Sequence, residues 1–438
     1  MSRTFIYFPL LMLIILLALP LTASARLLSP PPDRLTSCPP EAPLSCSPVL
    51  SWSKDLNAVS YEIEIFSFPP ENLNPQKQSE KATFRTTAVY SNRHNFNLNS
   101  LTIAANGNET IPLWWRVRSL DLEKHPVSPF SKLSQIHISR SLPIKNIPVP
   151  EAPADEKNNS LLLYPVYSWV NTAGADSYEL ELYDSDPLKP GAVPIWQATA
   201  KYTEKYDDFP RLSDTPFFWK VRALQEDGTP LGGWSEYTSF TFTPRKFRTA
   251  VLGDSVSHGG GHISFSPADP ELCWLTYLDF PAVNLSNSSE LTRDMVARFE
   301  ADVLPFSPTQ LIIFGGSNDI RNGDIPAEEI IKNLKILQEK CRQNNIRPVF
   351  LTLPPINPAN IKKAFDEGTC TDWKNKLKKT NAFIRSTEYF IDVFAAFKPY
   401  SRFGQLKTAY ALDGLHPDAN GKKIIADCVN ANWSRVTQ

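Results

Sequence analysis

From residue 247 onwards, short apolar runs alternate with stretches in which apolar residues return every third or fourth place. The runs are Thr249–Leu252, Ala282–Leu285, Gln310–Phe314, Pro348–Leu353 and Tyr389–Val393. Apolar runs of this length between turn residues predict buried strands. Between them lie amphipathic helices. In the clearest, Ile330, Leu334, Leu337 and Cys341 share one face while Glu328, Lys332, Lys335 and Lys340 point away from it. The last helix starts near Ala419 and carries Ile424, Ile425 and Val429. Such alternation predicts a parallel sheet covered by helices on both faces. A basic helix with Lys374, Lys376, Lys378 and Lys379 is expected to present them to solvent.

Upstream of residue 247 the period is two. Tyr61-Glu62-Ile63-Glu64-Ile65 and Trp115-Arg116-Val117-Arg118 alternate apolar with charged residues, which predicts strands with one buried and one wet face. The pattern repeats. Ser51-Trp52 before Ser60-Tyr61 is matched by Ser168-Trp169 before Ser177-Tyr178, and Trp115-Arg116-Val117-Arg118 by Trp219-Lys220-Val221-Arg222. An early Trp and a late aromatic-headed strand in each unit predict two β-sandwiches, and the pattern resembles fibronectin type III domains. The expected boundaries are residues 26–143 and 144–245, with a Pro-, Asn- and Lys-rich linker from Ser141 to Asn159, and then 246–438. The last unit is expected to fold alone. The sandwiches serve as spacers or bind a glycan or cell-surface partner; Trp114, Trp196 and Trp234 suggest the latter, although such rings in a sandwich usually belong to the core.

Composition narrows the setting. Across 438 residues, Lys+Arg 45 against Asp+Glu 46 leaves a formal charge of −1, so nothing draws the chain towards nucleic acid. Arg3, the apolar stretch Phe5–Leu19 and Ala23-Ser24-Ala25 have the layout of a secretory signal peptide, residues 1–25, with cleavage before Arg26. The expected location is therefore periplasmic or secreted, with no transmembrane segment in the mature chain. Six cysteines follow: Cys38 and Cys46 could close a short loop, and Cys273, Cys341, Cys370 and Cys428 leave three connectivities open. Asn-x-Ser/Thr sequons stand at Asn108, Asn158, Asn284, Asn287 and Asn432.

The candidate chemistry begins where the first of the later strands stops, at Gly253-Asp254-Ser255. It continues at Gly316-Ser317-Asn318-Asp319 and at Asp413-Gly414-Leu415-His416-Pro417. Serine is a weak nucleophile until a base takes its proton, and His416 is the candidate base. Asp413, three residues earlier, is placed to hold one ring nitrogen while the other faces Ser255. An oxyanion needs prepared donors. Ser255 offers its backbone N–H and Asn318 its side-chain amide, with Gly315-Gly316 expected to let backbone approach a ligand.

Together these stretches resemble the GDSL, or SGNH, hydrolase family over residues 246–438. The resemblance implies a flavodoxin-like α/β/α three-layer fold and an ester- or thioester-hydrolysing serine enzyme that uses no metal or other cofactor. It implies Ser255, Asp413 and His416 as catalytic residues, and Ser255, Ser289 and Asn318 as the oxyanion hole. The second block departs from the family's Asn-x-Gly-x-x-Gly, reading Asn284-Leu285-Ser286-Asn287-Ser288-Ser289, so a serine stands where the donor glycine is expected. His258-Gly259-Gly260-Gly261 follows the serine, the wrong order for an α/β-hydrolase oxyanion motif. With His262 it is read as a mobile loop at the cleft mouth rather than a metal pair. The expected substrate is a carboxylic ester, with small acyl groups such as acetyl on polysaccharides first. Lipid acyl chains, cleaved by a lipase, lysophospholipase or thioesterase, or an adhesive protein with an inert hydrolase domain, are the alternatives.

Overall fold

The structure, a computed structural model, describes residues 29–102, 110–151, 161–261 and 265–438. The signal-like segment, the sequons at Asn108 and Asn158, part of the expected linker and His262 lie outside the described residues.

The later strands form one parallel sheet. Its order is Val283–Asn284, Thr249–Gly253, Gln310–Phe314, Arg347–Leu351, Phe390–Ile391. In chain order that is 2-1-3-4-5, with the direction of winding reversing at the first strand. Ligands of open α/β sheets bind outside the carboxyl ends of the strands at such a reversal. Val251, Leu252, Ile312, Ile313, Val349 and Phe350 are all buried, because helices cover the sheet. Ala327–Gln343 contributes Ile330, Leu334, Leu337 and Cys341 to the core, and Ala419–Thr437 contributes Ile425 and Val429. Among the described residues no helix is long and apolar enough to cross a membrane.

The basic helix is Trp373–Arg385, and one of its lysines departs from the expected wet face. Lys376 is buried, its Nζ donating to the Asn322 carbonyl at 2.5 Å.

The N-terminal region is rich in antiparallel strands, and the sequence repeat reappears in its hydrogen bonds. The first unit has the sheet Phe84–Val89, Ser60–Phe66, Thr110–Leu120, Ser134–Ser139, and the second has Trp196–Ala200, Ser177–Tyr183, Phe217–Leu224, Thr238–Phe240. Tyr61 Oη accepts the Asp55 N–H at 3.0 Å, and Tyr178 Oη accepts the Thr172 N–H at 3.0 Å. The Val117 and Val221 amides donate to Ser131 Oγ and Ser235 Oγ, each at 3.1 Å. Trp52 and Trp169 meet their tyrosines edge-on at 5.1 and 5.2 Å and sit in the cores.

The expected wet face is missing from the first unit. Glu62 and Glu64 are buried, because residues 74–79 fold over them. Arg118 Nε and Arg116 Nε reach these carboxylates at 2.7 and 2.8 Å, and the Phe130 ring covers both guanidinium groups. Lys220 and Arg222 make the matching pairs with Glu181 and Glu179 in the second unit, under Trp234. Trp234 is thereby occupied by cations, Trp196 packs on Tyr167 at 5.8 Å, and Trp114 is half-buried. Cys273, Cys341, Cys370 and Cys428 are thiols rather than disulfide-bonded, and the Cys38 Sγ accepts the His137 N–H at 3.0 Å.

The C-terminal core extends to residues before 246. Leu163, Tyr164 and Phe242 are buried in it, and Leu162 bridges Asn284 in parallel at the edge of the sheet.

Candidate active site

The first strand ends at Gly253, whose α-carbon lies so close to the Phe314 carbonyl that a Cβ would collide with it. Asp254 then caps the short helix Ser255–His258, accepting the Val256 N–H at 3.0 Å. Its other oxygen accepts the Gly316 and Ser317 N–H groups, each at 3.2 Å. Burial pushes the Asp254 carboxyl up, against these three bonds. The cap turns the chain so that Ser255 stands just beyond the strand.

Ser255 Oγ lies 2.8 Å from His416 Nε2, and His416 Nδ1 lies 2.8 Å from Asp413 Oδ2. The second Asp413 oxygen accepts the Leu415 and His416 N–H groups, each at 2.8 Å. Burial would raise the Asp413 carboxyl, but the His416 imidazole and these hydrogen bonds outweigh it and hold it below its ordinary value. An ionised carboxylate only accepts, so Nδ1 carries the proton and Nε2 is left to accept from Ser255. The arrangement can take a proton from Ser255 during attack and stabilise the imidazolium that results.

Asn318 stands past the end of the third strand, on the helix Ser317–Arg321. One N–H of its side-chain amide donates to the Glu290 carbonyl at 3.0 Å, which fixes the amide and leaves the second N–H available. The glycines before it allow close packing. A Cβ on Gly315 would lie 2.5 Å from Met295 Sδ, and Gly316 has φ 122°. Ser289 is exposed and has φ 67°, the left-handed region that a glycine enters freely. Neither the Ser255 nor the Ser289 N–H has an acceptor among the described residues.

Residues 251–424 match the model of the GDSL-like Lipase/Acylhydrolase family. The C-terminal domain is a GDSL-like lipase/acylhydrolase domain. The chain is accordingly an ester-hydrolysing enzyme. It is similar to the GDSL esterase/lipase CPRD49 of Arabidopsis thaliana, 22% identical over 198 residues, 41% of this chain and 74% of that protein. Two solved structures are also similar. A GDSL-like lipase from Bacteroides thetaiotaomicron is 18% identical over 44% of this chain and 88% of its own, with a TM-score of 0.35. The lipase/acylhydrolase from Enterococcus faecalis is 20% identical over 44% and 98%, with a TM-score of 0.35.

Several residues that serve the GDSL-like domain escaped the sequence reading. His258 is buried rather than part of a mobile loop, with Nε2 facing the Tyr164 carbonyl at 2.7 Å and Nδ1 facing Ser288 Oγ at 2.8 Å. Burial lowers its pKa to about 4, so the ring is neutral at pH 7. Asn284, a sequon residue, is buried, and its amide donates to the Ser257 carbonyl at 2.8 Å. Lys422 is buried beneath the Ser255 helix and donates to the Val256 carbonyl at 2.7 Å; burial lowers its pKa to about 8. Phe365 is 38% exposed and stands edge-on to His416, with ring centroids 6.0 Å apart. Asn284 and His258 stand in readable stretches, but no local pattern gives the partners of any of these residues. Each takes its role from a partner distant in sequence.

Proposed function

We propose that the chain is a serine esterase in which Ser255 attacks the ester carbonyl, His416 takes and returns the proton, and Asp413 orients His416. The observation that carries the reading is the unbroken chain of two 2.8 Å contacts from Ser255 Oγ through His416 to Asp413. The oxyanion of the tetrahedral intermediate is held by the Ser255 N–H, the Asn318 amide and the Ser289 N–H. The two backbone donors are supported by their lack of any other acceptor among the described residues. No metal enters the scheme.

The substrate we propose is a carboxylic ester with a small acyl group, acetyl first, on a carbohydrate, and the location periplasmic or secreted. Support comes from the signal-like first residues and from the modular layout, in which two repeat units read as fibronectin type III-like sandwiches. A cleft of about 590 Å3, walled by all three units and edged by the exposed rings of Tyr90 and Tyr202, is lined by none of Ser255, Ser289, Asn318, Asp413 and His416, and offers room for a glycan to dock apart from the reacting atoms.

The test is Ser255→Ala, assayed on p-nitrophenyl esters of rising chain length and on acetylated oligosaccharides. Loss of kcat by roughly a thousandfold or more, together with loss of organophosphonate labelling, is expected. Labelling that persists in the variant would point to another serine. A preference for long acyl chains would move the substrate to lipids.

A further inference from the structure

The loop that joins the second strand to Glu290 carries the Ser289 donor and the carbonyl that fixes Asn318. It is held in part by Leu163 and Tyr164, which precede the family-matched segment. At its start, the Leu163 N–H donates to the Asn284 carbonyl at 3.2 Å. In its middle, Ser288 Oγ meets His258, which in turn meets the Tyr164 carbonyl. At its end, Glu290 Oε2 accepts Arg298 Nε at 2.8 Å.

Arg298 links the last of these grips to the others. Its Nη1 donates to the Leu285 carbonyl at 2.5 Å and to Asp302 Oδ2 at 2.9 Å, and its Nη2 reaches the Gly253 carbonyl at 3.4 Å. Three pieces of backbone beside the site therefore hang on one guanidinium: the strand end before Ser255, the start of the loop and, through Glu290, its finish. The Tyr164 hydroxyl donates to the same Asp302 oxygen at 2.6 Å, and the Arg298 guanidinium lies 5.3 Å from the Tyr164 ring centroid. Tyr164 thus reaches the loop twice, through its carbonyl to His258 and Ser288, and through its hydroxyl to Asp302, Arg298 and Glu290.

We infer that Tyr164, from the unit before the GDSL-like domain, is a positioning residue for the oxyanion side of the site, acting through Arg298. The inference rests on the proposed roles of Ser255 and Asn318. An oxyanion donor works only if it waits in place, and a displacement of about an ångström in a supporting shell is enough to lower the rate. A hydroxyl that fixes Asp302, and with it Arg298 and the Glu290 carbonyl, sets where the Asn318 amide points. The accessory unit then tunes catalysis through a covalently attached residue and without touching substrate.

The experiment is a double-mutant cycle in the full chain, read as kcat and KM on one small acetyl ester. Tyr164→Phe keeps the ring over Arg298 and removes only the hydroxyl. It is expected to lower kcat by roughly three- to thirtyfold with KM changed less than about twofold. In an Asn318→Ala background the same change is expected to cost clearly less than in the wild type, since one of the two donors on the loop side that it positions is gone. Asp302→Asn should reproduce the loss and add little to Tyr164→Phe. A Tyr164→Phe enzyme with unchanged kcat, or one whose loss adds in full to that of Asn318→Ala, overturns the inference. Ser255→Ala run alongside separates the two readings. If it stays active, the site assignment falls and takes the inference with it. If it is dead while Tyr164→Phe is fully active, only the inference falls.

Discussion

Asp254 accepts the backbone N–H of Ser317, so the residue before the proposed nucleophile holds the residue before the proposed oxyanion amide. The same carboxylate caps the helix that Ser255 begins. One buried side chain therefore sets the spacing between Ser255 and Asn318. Both of its oxygens face N–H groups, and an amide in its place must turn an NH2 towards at least one of them. Asp254→Asn should cost roughly 1–3 kcal/mol of stability, as for a buried hydrogen-bonding group left unsatisfied. It should also lower kcat by about tenfold or more, because donor and nucleophile no longer share a fixed frame. Urea unfolding and steady-state kinetics on an acetyl ester check the two effects separately. An Asp254→Asn enzyme with full activity would show that the spacing is set elsewhere.

A second expectation concerns where the GDSL-like domain begins. The Pro-rich texture before residue 246 predicts a hydrolase that folds alone. Yet Leu163, Tyr164 and Phe242 are buried in its core, at 1%, 5% and 2% exposure. Removing three such side chains forfeits roughly 1.5–3 kcal/mol each. It also leaves Arg298 and His258 without the partners that Tyr164 supplies. A fragment of residues 247–438 should therefore melt well below the corresponding transition of the full chain. Equal melting temperatures for that domain in both would show these contacts to be dispensable.

What the sequence made legible follows the range of each signal. The strand ends at Gly253 and Phe314 and the Asp413–His416 spacing are local, and each stands in a short readable pattern. The structure brings Ser255, Asp413 and His416 into one hydrogen-bonded chain and places Asn318 and Ser255 at adjacent strand ends. The grip of Tyr164 on Asp302 spans 138 residues and leaves no trace in periodicity. Glu62 and Glu64 misled for a related reason. Alternation reports that two faces differ, and it cannot tell water from a folded-over segment that meets two arginines of the neighbouring strand. Lys376 repeats the lesson, since a lysine on a polar stripe can still bury its amine against a carbonyl.

The second block offers a comparison within one site. Ser289 adopts φ 67°, where a side chain costs roughly 1–2 kcal/mol, while glycine forfeits about half of that gain through its freer unfolded chain. Ser289→Gly should thus gain roughly 0.5–1 kcal/mol and leave kcat within a few-fold, as its proposed donor is the backbone N–H. Asn318→Ala removes the donor itself and should lower kcat by roughly a hundred- to a thousandfold with little change in KM. A Ser289→Gly variant as impaired as Asn318→Ala would move the donor role to the hydroxyl.

The last expectation is a pH dependence of stability that comes from His258. Burial lowers its pKa from 6.5 to about 4 in the folded chain, with the Tyr164 carbonyl opposing the shift and the charges of Arg298 and Lys422 adding to it. Between those values the unfolded chain binds a proton that the folded chain refuses, so stability rises with pH across that window. The contribution is complete above about pH 6.5 and lost as pH falls to about 4. Its size is roughly 3 kcal/mol, from the fall from 6.5 to about 4 at about 1.36 kcal/mol per factor of ten in proton affinity. His258→Gln keeps a donor for the Tyr164 carbonyl and carries no titrating ring. Unfolding free energies of the two proteins, measured by urea from pH 4 to 7.5, should converge as pH falls, with the wild type showing the steeper slope between pH 4 and 6.5. Parallel curves would mean that His258 is protonated without penalty, and that the ring is not the sealed neutral link between Tyr164 and Ser288 described above.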